Sequence, residues 1–345
     1  MKNAHLQVGI DFSQKKADFC LLDPDGEPIE MHRSFSNSFS GFEKAHRFML
    51  DAKQEHGLDG IDISGEATSY YWLPFFWQLE QDEELAAQNS TLYLRNPRWV
   101  KQFKKSFARD DKTDAKDPFY IAEFTRFKTP GYSWESREKW LILRFYTRLR
   151  KHFVQTLTAE KNYFLSFLFL RSSSYACKKP FSDVFGVTST KLLTEGPSLE
   201  ILRTLSVDEL ADYLHELSNH RLPDPLENAK RLKQALSDSF SLGSTINVPL
   251  QRILNISLKH LSYLEKEVEK INQWIKDEME DNHKEALVLT SIPGIGPVFT
   301  AGIVAEIGGL DRFFEPRKWD KKHKRWRNRN LRDVEDAVAK MAGLW

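Results

Sequence analysis

Cysteine is close to absent: Cys20 and Cys177 are the only two in 345 residues. So few thiols exclude a disulfide framework and a cysteine-rich zinc centre, and they predict a chain that works in a reducing cytoplasm. A dominant charge of one sign is missing as well. Lysine and arginine number 50 against 49 aspartates and glutamates, a net charge of +1, so acidic and basic regions are concealed in a balanced total and must be read locally. The first residues carry no apolar signal segment before the strand-like run that follows, so no secretory leader is expected. Residues 287–305 hold no charged side chain, over roughly the length of a bilayer span. Pro293, Gly294, Gly296 and Pro297 interrupt that stretch and predict two short pieces around a turn, so we expect no membrane partner.

What is present is ordinary for a soluble protein, 41% hydrophobic and 29% charged, and the length suggests two or three domains. Short strand-like runs bounded by turn residues predict a buried strand at 6–11 and further strands at 17–22 and 28–35. Phe42, Ala45, Phe48 and Met49 recur at helical spacing. A strand at 61–66, an aromatic helix at 70–79, a strand at 91–94 and a basic helix at 98–107 complete the N-terminal part. Three strands, helix, strand, helix, strand, helices is the element order of the α/β ribonuclease-H-like fold.

That order gives four acids a shared meaning. Asp11 ends the first, central strand, and Glu66 ends the fourth strand beside it. Asp114 and Asp117 lie three residues apart in a stretch that predicts a helix start, a spacing that puts both on one face. Any one of them alone reads as a strand-end turn acid or a solvated first turn near the positive end of a helix. Together, four carboxylates from three segments predict a site for two Mg²⁺ ions about 4 Å apart, the arrangement used in phosphodiester chemistry. Asp62, Asp110 and Asp111 are expected to be solvated or to support the site from outside.

Basic residues cluster in two places. Arg95, Arg98, Lys101, Lys104, Lys105, Arg109 and Lys112 crowd one segment with Trp99 and Phe103 interleaved, which predicts contact with a nucleic-acid backbone. Lys321, Lys322, Lys324, Arg325 and Arg327 form the core of a second run that contains Trp319 and Trp326. Just before it, the turn Ser291-Ile292-Pro293-Gly294-Ile295-Gly296-Pro297 follows the logic of a helix-hairpin-helix unit. Gly294 and Gly296 would let the backbone approach a phosphate while the next helix presents its amides.

The middle of the chain is helical. Residues 134–170 predict a long helix with one packed and one basic face, and shorter helices are expected at 201–217 and 229–240. Leu254, Leu261, Leu264, Val268, Ile271 and Ile275 then recur by threes and fours, broken by Ser257, which is coiled-coil spacing. Packing within the chain and a homodimer both satisfy it. The expected domains are a catalytic one at 1–130, a helical and coiled-coil region at 131–280, and a partial C-terminal domain at 281–345.

The segments GIDFSQKKADFCLLD, SGEAT around Glu66, and KTDAKDPFYIAEF resemble the RuvC-like DEDD domain of the IS110 family of insertion-sequence transposases, recombinases guided by a bridge RNA. SIPGIGPVFTAGIVAEIGGLDRF, followed by DAVAKMAGLW, resembles the start of that family's C-terminal transposase domain. The resemblance implies that Asp11, Glu66, Asp114 and Asp117 bind Mg²⁺ and that the partners are DNA and a structured guide RNA. It also implies assembly as a homodimer or tetramer, and a place in the bacterial or archaeal cytoplasm at the nucleoid. In the family a C-terminal serine, in a Ser-Gly segment soon after an AGL motif, attacks DNA beside the acids. Here the sequence stops at Trp345, directly after Ala342-Gly343-Leu344, so no serine occupies the matching place, and Ser291 is expected to be a helix cap. The implied function is a DNA transposase or recombinase whose acids act with a serine from outside these residues. A RuvC-like endonuclease using water, or an inactive RNA- and DNA-binding remnant, are the alternatives.

Overall fold

Apolar residues alternate with polar ones from residue 5 onward, and tight turns fold that alternation back on itself. At the second turn the Asp23 carboxylate accepts from the amides of Asp25, Gly26 and Glu27 at 2.9, 2.7 and 2.8 Å. The computed structural model describes residues 4–106, 116–127, 138–240, 242–307, 318–320 and 325–327. It divides into two compact units, Met1–Arg137 and Glu138–Trp345.

In the first unit, β1 (His5–Phe12), β2 (Lys16–Leu22) and β3 (Pro28–Ser36) form an antiparallel meander. Helix α1 (Phe39–Glu55), capped by the Ser38 side chain, leads to β4 (Gly60–Glu66), which pairs parallel with β1. After α2 (Leu73–Gln81) and the short α3 (Glu83–Ala87), β5 (Ser90–Arg95) pairs parallel with β4. The sheet order is β3-β2-β1-β4-β5. This mixed five-stranded sheet is compatible with the ribonuclease-H-like expectation, and it seats β1 in the middle.

One face of the sheet is apolar throughout. Leu6, Val8, Ile10 and Phe12 join Phe19, Leu21, Ile61 and Ile63, and are covered by Phe42, Met49, Phe75 and Phe76 from α1 and α2. The opposite face carries α5 (Asp117–Arg126), with Ala122 against Cys20 and Leu22. Gly9 makes that approach possible. A Cβ there would stand 2.0 Å from the Pro118 carbonyl oxygen and 2.5 Å from the Ala122 amide nitrogen, so the helix rests on the strand backbone to backbone.

The second unit is built on two long helices, α6 (Glu138–Arg171) and α12 (Ser244–Asn282). They run antiparallel, since Arg150 meets Asn272 while Lys161 meets Glu265 and Glu160 meets Ser257. Between them in sequence lie α7 (Tyr175–Lys178), α8 (Val187–Thr194), α9 (Leu199–Thr204), α10 (Val207–Leu217) and α11 (Pro225–Ser237). Their side chains Tyr175, Leu192, Leu202, Leu214 and Leu232 share a core with Leu254, Leu258 and Leu261. Ile271, Ile275 and Met279 pack with Trp140 and Leu143. The coiled-coil spacing of α12 is thus satisfied largely inside the unit.

The basic face expected on α6 is partly spent in the same way. Arg144 donates to the Ala305 carbonyl at 2.7 Å, Arg148 pairs with Glu306 at 2.9 Å, and Arg150 donates to Asn272 at 2.7 Å. Facing helices offer acceptors that a linear sequence does not show. Glu306 and Ala305 belong to α13 (Pro297–Ile307), which follows a 3-10 helix, Lys284–Ser291. No helix among the described residues is long and apolar enough to cross a membrane. Beyond α13, β6 (Lys318–Asp320) and β7 (Arg325–Arg327) form a two-stranded antiparallel ladder with Trp319 opposite Trp326.

Candidate active site

The register of two parallel strands builds the site. Ile10 is opposite Gly65, so the next positions, Asp11 and Glu66, end neighbouring strands side by side, with backbones about 5 Å apart. Both project to the face that carries α5, whose first residue is Asp117. The three carboxylates lie within electrostatic reach of one another, and both strand-end acids register it. Burial first, then the charges of Asp117 and Asp18, push the Asp11 carboxyl above its ordinary range, against the opposing charge of Lys104. Glu66 is also raised, first by burial and then by Asp11 and Asp117; a Thr68 hydroxyl bond at 3.0 Å and Lys104 pull the other way. Crowding of this kind disfavours three bare negative charges and favours a bound cation.

Lys104 ends α4 (Pro97–Lys104), a helix opened by Pro97 and capped by Asn96. Its Nζ stands 2.9 Å from Asp117 Oδ1. Buried Val100 packs with Ile121 and Phe124, and Trp99 and Phe103 close over them. The Phe103 ring lies 5.1 Å from Phe124 and 5.9 Å from Phe127. The aromatics expected to face nucleic acid therefore clamp α4 onto α5. Arg98 and Lys101 on α4 and Lys105 just after it remain exposed.

Arg95, counted in sequence among the available cations, is buried. Its guanidinium lies 4.7 Å from the Tyr93 ring and 5.2 Å from Phe124, and its Nε donates to the Thr125 hydroxyl at 3.3 Å. Burial brings its pKa down to about 10. Thr125 in turn donates to the Ile121 carbonyl and meets the Ser64 hydroxyl. This chain of contacts ties β5, α5 and β4 together directly behind the acids.

Sequence reasoning missed Asp18, which the β1–β2 ladder pairs with Asp11. The signal was in the hairpin, whose turn alone places those two acids opposite each other. Asp18 is buried, yet hydrogen bonds from Lys16 and Ser34 and the charges of Lys16 and His32 outweigh that desolvation and hold its carboxyl low. Lys16 stands at 2.8 Å and His32 at 3.3 Å. Asp62 sits on the same face but at the far end of β4, bonded to His5 and Gln7.

Asp110, Asp111 and Asp114, with Arg109 and Lys112, lie outside the described residues, and α5 opens at Asp117. The same holds for Lys321, Lys322 and Lys324; Arg325 and Arg327 are placed as backbone in β7. Gly294 and Gly296 are exposed in the second unit, with open space where a Cβ would stand. Gly294 has φ +88°, a conformation that suits glycine.

Among the described residues no three His, Cys, Asp or Glu side chains converge closely enough to hold a metal ion. The donor chemistry nevertheless suits one: carboxylate oxygens without thiolate or imidazole match a hard divalent ion such as Mg²⁺. An ammonium already sits where these charges meet.

Residues 8–170 match the family model of DEDD transposases of the IS110 type, described as a transposase. Residues 286–320 match a second model, the transposase IS116/IS110/IS902 family. Together the two cover more than half of the chain. No curated protein matches it.

Proposed function

Because the chain belongs to the IS110 family of insertion-sequence transposases, we propose that it recombines DNA at a Mg²⁺-dependent site formed by Asp11, Glu66, Asp117 and Asp114. The observation that carries this reading is the register that sets Asp11 beside Glu66 under the first residue of α5. A bound Mg²⁺ pair would activate the attacking oxygen and stabilise the leaving one. The acids hold that charge in place, and Gly9 and the Arg95–Thr125–Ser64 contacts fix the helix that carries Asp117. A serine hydroxyl from outside residues 1–345 serves as the nucleophile in this reading.

Exposed Arg98 and Lys101 on α4, Lys105 just after it, and the open Gly294–Gly296 turn would contact DNA or a structured guide RNA through phosphates. The residues expected around Lys321 to Arg327, together with Arg109 and Lys112, would extend that contact. Assembly as a dimer or tetramer is part of the same reading.

The test incubates the protein, together with a segment that carries the serine, with insertion-sequence end DNA and the RNA transcribed from its flank. Strand transfer should require Mg²⁺ and vanish in Asp11→Asn, Glu66→Gln and Asp117→Asn. Transfer that persists in Asp11→Asn, or in the presence of a chelator, defeats the proposal.

A further inference from the structure

Three carboxylates crowd the ends of β1 and β4 and the start of α5, and Lys104 stands among them. Its Nζ is 2.9 Å from Asp117 Oδ1, and its charge acts favourably on both Asp11 and Glu66. An ordinary ion pair at a helix start would involve Asp117 alone. Here the ammonium that pairs with Asp117 also lowers, through its charge, the cost of the acids that end two neighbouring strands.

We propose that Lys104 is a built-in counter-cation, holding the acid cluster when no metal is bound and giving way when a divalent cation enters. This rests on the metal-site reading above. Two features suit the residue to leaving as well as to staying. The Asp117 side chain is 41% exposed and that of Lys104 25%, and an ion pair so open to water is worth about 1 kcal/mol or less. A doubly charged ion at the same acids outcompetes it. The backbone of α4 need not move, because buried Val100 and the Phe103–Phe124 contact anchor it. Only the flexible four-carbon stem turns. The released ammonium then lies at the rim of the site, next to exposed Lys101 and Lys105, where the phosphates of a bound strand would approach.

The exchange can be followed in the full chain without any recombination assay. Amine acetylation read by mass spectrometry should find Lys104 weakly labelled in metal-free protein and several-fold more labelled in saturating Mg²⁺, with Lys101 unchanged. In calorimetry with Mn²⁺, Lys104→Met should bind the ion about three- to fivefold more tightly than wild type, having lost the competitor. Lys104→Arg, which keeps the charge, should stay within about twofold of wild type, as should Lys101→Met, which removes a charge from the same helix outside the cluster. Lys104 labelling that ignores bound metal overturns the proposal, as does equal tightening in Lys101→Met. Wild-type protein that binds no Mn²⁺, or binding that survives Asp11→Asn, overturns the metal site itself and the proposal with it.

Discussion

Replacing Gly9 by alanine adds one methyl group at the contact on which the acid cluster depends. The new Cβ would meet the Pro118 oxygen at 2.0 Å, the Ala122 nitrogen at 2.5 Å and the Ala122 Cβ at 3.0 Å. The two closest atoms are backbone, so no side-chain rotation relieves them, and α5 must lift by roughly 1 Å or more to reach ordinary contact. A gap of that size forfeits a quarter to a half of the dispersion contact under the helix. It loosens Ala122 from Cys20 and Leu22 and the Thr125 hydroxyl from Ser64. The expected cost is about 3 kcal/mol, at the upper end for overpacking. For a unit spanning Met1–Arg137, that corresponds to a fall of roughly 10 °C in the melting temperature. The same lift carries Asp117 away from Asp11 and Glu66, so Mn²⁺ affinity by calorimetry should fall in parallel. Adding Ala122→Gly removes only the third contact and should rescue little. A Gly9→Ala protein that melts within about 2 °C of wild type would mean that α5 does not rest on β1, and the arrangement of the acids would lose its support.

Asp11 and Glu66 have folded pKa values raised above 3.8 and 4.5, so the folded metal-free state binds protons more tightly than the unfolded one. Their contribution to stability is therefore most favourable at acid pH and is lost as pH rises through the folded values. Asp11→Asn and Glu66→Gln should melt close to wild type near pH 4 and above it at pH 7 without metal, while losing metal binding; a gap that shrinks with rising pH contradicts the assignment. Leu261 and Leu264 of α12 are buried, so Leu261→Ala should cost about 2–5 kcal/mol of unfolding free energy. Sedimentation should show no change in oligomeric state, and dissociation of an assembly at full thermal stability would place the residue at an interface between chains.

Much of the first unit was legible because strands and their turns are local. Residues 6–11, 28–35 and 61–66 announce themselves by alternation and 17–22 as an apolar run between turns, and each observed strand extends them by at most one residue at an end. The short helices α3, α7 and α8 were not legible. Helices of this length have little stability of their own, and buried Leu85, Tyr175, Leu192 and Leu193 form within tertiary cores.

By itself the sequence determined the order of the first unit's strands, the acids at the ends of two of them and the family. Those are matters of period and motif, carried by neighbours along the chain. Only the tertiary structure decided the register that pairs Ile10 with Gly65 and so sets Asp11 level with Glu66, that Asp18 adds its charge, and that the charge of Lys104 acts on the acids. It likewise decided that Trp99 and Phe103 pack on α5 and that the α12 stripe is filled from within. Each of these depends on register and on which surface meets which, and a contact between residues far apart in sequence leaves no periodic trace in either segment.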